Sequence, residues 1–303
     1  MNLSALRLAG AAAVATILTI APAQAQSKHH NLSVNFDGEA ASCADLRVKT
    51  DGALAQAVDK FTLQGASVQI DGGSGGSIHV TAADRADYAV EACRFAVADD
   101  QATAQQAVAG TSVTRSAWRV ETHGPAYADN NAQWQVYLIV QAPRNGSVEL
   151  NTVNGPISVR GLSGTVKAKA VNGPLSVTDC AGVVDGQTTN GPISFSGQGG
   201  DVKLTAVNGP LTLKISGDTW NGPRLEASTM NGPVHLVAPD TFRSSVRLET
   251  NGEAPFTCRA EMCRSALTDA RSEKRTLQMN GSADTVRVST GNGPVSVTGP
   301  STR

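Results

Sequence analysis

Residues 154–159 read NGPISV, and the same pattern returns as NGPLSV at 172–177, NGPISF at 190–195 and NGPLTL at 208–213. The interval is 18 residues each time, which is the fixed-period self-similarity of a repeat fold. After each Pro an apolar-hydroxyl-apolar triplet follows, as expected of a strand whose side chains alternate between two faces. Glycine after Asn permits a positive φ at a corner, and Pro fixes φ where the next strand starts. The stretch therefore predicts two short strands and two turns in every repeat.

A unit of 18 residues is too small to enclose a core alone. Units stacked in register, about 4.8 Å apart, bury one continuous core. The sequence thus predicts an all-β fold, a parallel β-solenoid (β-helix-like) of 18-residue, two-strand coils over residues 144–300 with a loop at Cys258–Cys263. Residues 66–143 are predicted to form irregular first coils with at most one short helix near 99–109. Residues 26–65 are predicted to form a β-rich N-terminal cap over the open end.

The Asn of each repeat defines a column of equivalent positions. Later members are recognised by the inward-facing apolar residues that precede them, and the predicted ladder is Asn154, Asn172, Asn190, Asn208, Asn231, Asn251 and Asn292. Stacked amide side chains hydrogen-bond from strand to strand, so a structural role is favoured over ligand binding. Asn221-Gly222-Pro223 is out of phase, and we place it in the opposite turn.

A second column lies five residues before each Asn, or four before Asn251 if one residue is deleted there, and is charged. Its predicted members are Glu149, Lys167, Asp185, Lys203, Glu226, Arg247 and Arg287. The first five alternate in sign. Opposite charges attract on neighbouring strands, so this column is interpreted as holding the register on a solvated face.

The strand after each Pro offers a smaller outward row. Its members are Ser158, Ser176, Ser194 and Thr212. The row is small, polar and flat, and two interpretations stay open: contact with a glycan or a protein, or a plain solvated face.

The first 25 residues resemble a cleaved signal peptide. Arg7 precedes the apolar run Leu8–Ile20, and Ala23-Gln24-Ala25 offers a small-x-small cleavage site. The run is too short to cross a bilayer, and no other segment has membrane length, so no transmembrane segment is expected in the mature chain. The prediction is an exported protein that is periplasmic, secreted or on the cell surface. Lys and Arg number 25 against 26 Asp and Glu, a balance that argues against a nucleic-acid partner.

Export makes the cysteines candidates for disulfides. There are five, so one stays unpaired within the chain and 15 arrangements are possible. Cys258 and Cys263 enclose a short loop and are the easiest pair, and Cys43 with Cys93 is the natural second pair. Cys180 is then a partly buried free thiol at the opposite turn. A metal site at Cys258 and Cys263 is disfavoured, because structural zinc sites use four ligands.

Several segments together resemble a known family. They are Ser67-Val68-Gln69-Ile70-Asp71-Gly72, Ser77-Ile78-His79-Val80, Val140-Gln141-Ala142-Pro143, Gly146-Ser147-Val148-Glu149-Leu150 and Asn154-Gly155-Pro156-Ile157. In this order they look like the bacterial β-strand-repeat "putative adhesin" family, a domain of unknown function, over residues 66 to 299. The resemblance implies an exported or envelope-associated β-solenoid and brings no catalytic residues.

The acidic residues and histidines of the sequence are the candidates for catalysis and metal binding. Enzymes on parallel β-helices rely on clustered carboxylates, and Asp179 and Asp201 lie near the second turn of neighbouring coils, with Arg160 beyond them. Their phases differ, which disfavours a shared site. His30 lies close to the predicted mature terminus, and His79 follows the alternation outward and is expected to be solvated. No catalytic residue, metal ligand or cofactor is predicted.

The leading hypothesis is a non-enzymatic protein with an adhesin-like binding or scaffolding role at the bacterial envelope. Its expected partner is an unidentified protein or glycan. The alternative is a carbohydrate-active β-helix enzyme, a polysaccharide lyase or hydrolase. The two differ in whether acidic groups converge in one groove.

Overall fold

A computed structural model describes residues 30–35, 41–125, 132–251, 254–269 and 274–300. The predicted signal segment, residues 1–25, lies outside the described residues. Within them there is one α-helix, α1 (Gln101–Gly110), and two short 3-10 turns, Cys43–Asp45 and Glu261–Ser265. The predictions of an all-β fold and of one short helix are confirmed.

Three groups of strands follow one another along the chain. The N-terminal strands are β1 (Leu32–Asn35), β2 (Arg47–Thr50), β3 (Ala53–Leu63), β4 (Ser67–Asp71), β5 (Gly76–Ala83), β6 (Tyr88–Ala98), β7 (Ser112–Arg115), β8 (Arg119–His123) and β9 (Ala132–Pro143). The repeat strands are β10 (Ser147–Asn154), β11 (Ile157–Arg160), β12 (Thr165–Asn172), β13 (Leu175–Thr178), β14 (Val183–Asn190), β15 (Ile193–Gly197), β16 (Gly199–Asn208), β17 (Leu211–Ile215), β18 (Asn221–Asn231) and β19 (Val234–Val237). The C-terminal strands are β20 (Val246–Asn251), β21 (Phe256–Cys258), β22 (Leu267–Asp269), β23 (Lys274–Met279), β24 (Val286–Asn292) and β25 (Val295–Thr298).

Two large, mostly parallel sheets contain nearly all of these strands. Sheet I has 12 strands in the order β22-β23-β20-β24-β18-β16-β14-β12-β10-β4-β8-β7. Sheet II has 11 strands in the order β21-β25-β19-β17-β15-β13-β11-β5-β9-β6-β3. Every repeat gives one strand to each sheet, and equivalent residues of successive repeats are direct neighbours, such as Val148 beside Val166 and Ile157 beside Leu175. The 18-residue period is therefore the period of strand pairing.

The core lies between the two sheets. Inward residues of both sheets, such as Leu150, Leu175 and Leu204, belong to one continuous cluster of buried side chains. Full burial of such a side chain is worth about 1.5–3 kcal/mol, so the alternation of apolar and polar residues fixes which face of each strand points inward. The aromatic rings of Phe195 and Trp220 meet in this cluster, with centroids 5.9 Å apart.

The Asn-Gly-Pro corner differs from its sequence-based prediction. Among the glycines of the four regular copies, none has a positive φ. A Cβ on Gly173 would instead lie 2.0 Å from the carbonyl oxygen of Gly155, and one on Gly209 would lie 2.0 Å from that of Gly191. Glycine is needed here because successive backbones stack too closely for any side chain.

The N-terminal residues form three parts of the fold: additional strands of sheet II, an outer strand pair and the helix. Strand β9 pairs parallel with β5, and β6 and β3 follow it as antiparallel neighbours, so the three strands extend sheet II. The β1–β2 pair lies on the outer side of β6 and β9, where Leu32 and Val34 pack in a small cluster with Phe95 and Tyr137. Helix α1 packs against β3, β6 and β9, and its buried alanines join the main core. The Cys43–Cys93 disulfide ties the outer layer to β6.

The C-terminal strands are out of chain order. The last repeat unit, β24 and β25, lies directly beside β18 and β19, whereas the earlier strands β20 and β21 lie beyond it. The sequence-based order, in which the unit ending at Asn251 follows the unit ending at Asn231, is therefore wrong. The Cys258–Cys263 disulfide closes the short loop after β21, as the sequence predicts.

Candidate functional site

The outer side of sheet I carries a continuous row of charges, which we call the charged row. In spatial order from β10 to β24 its members are Glu149, Lys167, Asp185, Lys203, Glu226 and Arg287. Each residue is the register partner of the next, and the signs alternate over all six strands. Every neighbouring pair is thus attractive. A register shift of one residue along a strand would turn that strand's charged side chain inward.

Arg247 takes a different place from the predicted one. It lies on β20, beside Arg287 and not beside Glu226. The two arginines are compatible because Glu249 lies between them: Arg247 Nε donates to Glu249 Oε1 at 2.6 Å and Arg287 Nη2 donates to Oε2 at 3.0 Å. Burial of Glu249 opposes ionisation, yet the hydrogen bonds and charges of Arg287 and Arg247 hold its pKa below the usual value. Hydrogen bonding to Glu249 in turn raises the pKa of Arg287.

Two further outward rows run parallel to the charged row. The middle row consists of Asn151, Lys169, Gln187, Thr205, Ser228 and Ser289. The apolar row lies one residue before each Asn of the corner; Val153, Val171, Val207 and Met230 are apolar, and Thr189 and Gly291 occupy its other two positions. Val153 is 41% exposed and Met230 is 59% exposed, so this row leaves apolar surface open to solvent. We call the three rows together the charged face.

The Asn side chains form a hydrogen-bonded file at the corner between the two sheets. Nδ2 of Asn172, Asn190, Asn208 and Asn231 each donates to Oδ1 of the Asn before it at 2.9 Å. Asn292 continues the file by donating to Asn231 at 2.8 Å, and Asn154 starts it by donating to the Ser74 carbonyl. Each amide inside the file therefore uses one of its two N–H donors and one of its two acceptor lone pairs within the stack.

Asn251 stands apart from this file. On β20 it is the register partner of Lys274, and it comes directly after Thr250, the partner of Thr290. Its position is therefore level with Gly291, one residue short of Asn292. The inclusion of Asn251 in the predicted ladder is corrected on this basis.

The outer side of sheet II carries hydroxyl groups. Ser158, Ser176, Ser194 and Thr212 are successive register partners. The row continues at His235 and Ser296, where His235 Nδ1 lies 2.8 Å from Ser296 Oγ. These Ser and Thr side chains are half-buried or exposed, and we call this surface the hydroxyl face.

His79 on β5 belongs to the same row, but it is buried and not solvated as predicted. Its register partner on the other side is Ile139, which is part of the apolar cluster under β1 and β2. The outer layer formed by the N-terminal residues thus limits the hydroxyl face at this end.

The carboxylates considered for catalysis do not share a site. Asp179 Oδ2 lies 3.9 Å from Arg160 Nη1, whereas Asp201 Oδ1 accepts from Arg224 Nε at 2.9 Å. Asp179 lines a hollow of about 380 Å³ with Cys180 and Asn221, and Asp201 does not line it. Cys180 is a free thiol, 2% exposed, and burial raises its pKa, which lowers its reactivity as a nucleophile.

In the described ranges of the chain, no group of three His, Cys, Asp or Glu side chains is arranged to hold a metal ion. No helix there has both the length and the apolar character needed to cross a membrane.

No family model matches the sequence, and no curated protein does either. Several solved structures are similar. A putative adhesin from Bacteroides fragilis is 12% identical, with 81% of this chain and 97% of that chain covered and a TM-score of 0.41. A putative cell adhesion protein from Clostridium sporogenes is 8% identical, with 81% and 100% covered and a TM-score of 0.36. A putative lipid binding protein from Parabacteroides distasonis is 9% identical, with 82% and 98% covered and a TM-score of 0.34. The adhesin name that the sequence resemblance implies recurs among these structures, and likeness of this degree carries no argument about ligands.

Proposed function

We propose that the protein is an exported, non-enzymatic β-solenoid with an adhesin-like binding role at the bacterial envelope. The register of the repeat strands in both sheets supports successive coils that stack along one axis. Two disulfides fit a protein outside the cytoplasm, because the cytosol keeps thiols reduced. Asp179 and Asp201 each pair with a different arginine. They therefore do not form the pair of carboxylates that glycoside hydrolysis requires.

The binding surface in this proposal is the hydroxyl face, and its ligand is an extended glycan. One observation carries this choice: Ser158, Ser176, Ser194 and Thr212 are direct register partners. Parallel strands repeat about every 4.8 Å, so the row offers a hydroxyl at each step along a flat surface. A hydroxyl both donates and accepts hydrogen bonds, which suits the hydroxyl groups that a sugar chain presents repeatedly.

A glycan array run beside a polysaccharide-degradation assay tests the proposal on the mature chain. We expect binding without turnover. The double variant Ser176→Val/Ser194→Val is expected to lose binding at least tenfold, because valine keeps the β propensity and removes the hydroxyls. Ser228→Val, the same residue change on the outer side of sheet I, is the matched control and is expected to bind normally.

Three results would count against the proposal. They are the absence of any glycan binding, glycan binding that the double variant leaves unchanged, and polysaccharide turnover that Asp179→Ala abolishes. The last would favour the carbohydrate-active enzyme instead.

A further inference from the structure

The charged row has a symmetry that strand pairing within one molecule does not require. It contains six residues of alternating sign, acidic at the β10 end and basic at the β24 end. An alternating row with an even number of members is complementary to its own reverse. Glu149 therefore matches Arg287 of a reversed row, Lys167 matches Glu226, and Asp185 matches Lys203.

A two-fold axis brings about this reversal. The axis lies in the plane of the charged face, parallel to the strands and midway between β14 and β16. Rotation about this axis places β10 of one copy opposite β24 of the other copy. Each of the three rows then faces the same row of the second copy. All six facing pairs are then of opposite charge, as in an isologous interface in which one patch meets itself. If one copy were shifted against the other by one strand spacing, Glu149 would face Glu226 and Lys167 would face Lys203. The charges therefore select a single alignment of the two copies.

The other two rows agree with the same axis. In the apolar row, Val171 faces Met230, which is an apolar pair, and Thr189 faces Val207, so no charged side chain enters this row. In the middle row, Lys169 faces Ser228, and no charge faces a like charge over the six strands. The exposed Met230 would thus be covered by the arrangement that pairs the charges.

The ends and the size of the face are also compatible. One strand further out, Gln69 of β4 faces Arg247 of β20 without repulsion. Asp71 faces Glu249 there, and the Glu249 carboxylate is already held by two arginines. Eight strands from β4 to β20, about 4.8 Å apart and on average about eight residues long at about 3.3 Å each, span on the order of 1,000 Å². A stable complex buries about 800 Å² per partner, so the face is large enough.

We infer that two copies of the chain associate face to face through the charged faces of sheet I, related by this two-fold axis. A second copy fits this surface better than a polyelectrolyte does, because a polymer of uniform charge meets attraction and repulsion in turn. The hydroxyl face of each copy points away from the interface and stays free for the ligand of the proposed function.

A charge-swap experiment tests the inference by sedimentation velocity at low and at physiological ionic strength. The wild-type mature chain is expected to be a dimer that weakens as salt is added. Lys167→Glu and Glu226→Lys are each expected to dissociate at least tenfold more readily, because each places like charges opposite one another twice. An equimolar mixture of the two variants is expected to form a heterodimer, since all six facing pairs are again of opposite charge.

Two controls make the result specific. Lys214→Glu reverses the charge of a lysine on sheet II and is expected to leave the dimer intact. Circular dichroism of the two swapped variants shows whether they fold, because each swapped charge also lies beside like charges on its neighbouring strands. Met230→Lys changes an exposed side chain outside the charged row, and it is expected to weaken the dimer at least tenfold even if a swapped variant fails to fold.

The inference is overturned if the wild-type chain is monomeric, if Lys167→Glu or Met230→Lys remains as dimeric as wild type, or if two folded variants do not associate when mixed. Loss of glycan binding with an intact dimer would instead affect only the proposed function.

Discussion

The regular repeats, residues 147–215, and the C-terminal region, residues 246–298, share the same strand pattern. They differ in whether the units stack in the order in which they follow along the chain. In the repeats each unit lies beside the unit before it in the chain. In the C-terminal region the last unit lies between two earlier ones, with β18 on one side and β20 on the other. Equal spacing makes the preceding unit the natural neighbour, whereas the long connection from β19 to β24 leaves the choice to side-chain complementarity.

The side chains explain why β24 and not β20 is the neighbour of β18. Asn292 donates to Asn231 at 2.8 Å, so β24 continues the Asn file. Thr290 also donates to the Gly232 carbonyl at 2.8 Å, as Thr188 and Thr229 donate to the Gly173 and Gly209 carbonyls in earlier units. On β20, Asn251 is one residue out of phase and is followed by Gly-Glu where the repeat has Gly-Pro. The unit that completes the corner pattern takes the inner position, and the unit that does not becomes the outer one.

Truncation after Gly281 is the strongest way to break this comparison, because it removes β24 and β25. Val286, Val288, Val295 and Val297 are all almost fully buried, so we expect a loss of about 6 kcal/mol or more. Residues 246–279 should then become sensitive to protease, since β20 loses the strand that joins it to the repeats. If units stacked in chain order, the truncation would trim only the end of the stack and leave 246–279 protected.

Gly173→Ala should cost about 3 kcal/mol within the regular repeats, because the new Cβ would lie 2.0 Å from the Gly155 carbonyl oxygen. Thermal unfolding measures the change. Gly110→Ala at the end of α1, where a Cβ meets Pro125 at an ordinary 3.6 Å, is the matched control and should be close to neutral. Equal melting temperatures for the two variants would refute the close backbone stacking at this corner.

Glu249→Gln should cost about 1.5 kcal/mol at neutral pH, because two charge-assisted hydrogen bonds at the β20–β24 boundary are weakened. The pKa of Glu249 is lowered in the folded chain, so its stabilisation is present above the ordinary carboxyl pKa and is lost as pH falls through the folded value. Urea unfolding should therefore separate variant and wild type at neutral pH and bring them together in acid. Glu149→Gln, on an exposed part of the charged row, should change stability by less than about 0.5 kcal/mol. A difference for Glu249→Gln that does not depend on pH would contradict the assignment.

Asn190→Ala gives the smallest expected effect, about 1 kcal/mol, because it removes one amide donor and one acceptor from the exposed file. Asn251→Ala, outside the file, should change the free energy of unfolding by less than about 0.5 kcal/mol. Denaturant unfolding of both variants sharpens the contrast between the two regions. Comparable losses at both positions would mean that Asn251 takes part in the file after all.

Two histidine predictions also differ from the structure, because contacts between segments far apart along the chain decide where these side chains lie. His30, expected near a loose terminus, is buried, with Nδ1 3.3 Å from Asp51 and Nε2 3.2 Å from Asp99. His79 is buried beside Ile139, which belongs to the apolar cluster under the N-terminal outer layer. Neither contact has a periodic signal in the sequence, since each joins segments far apart along the chain.

The sequence by itself determined the strand period, the inward and outward faces, the alternating charges of the first five repeats and the short-range Cys258–Cys263 pair. All of these follow from local spacing, because alternation along a strand and a constant repeat length dictate which side chains become neighbours. Only the tertiary structure decided the order of the C-terminal units, the place of Arg287 opposite Glu226 and the layer over β6 and β9. Those features depend on a competition between segments for the same sheet edge, and the outcome rests on which side chains complete the core, the Asn file and the charged row.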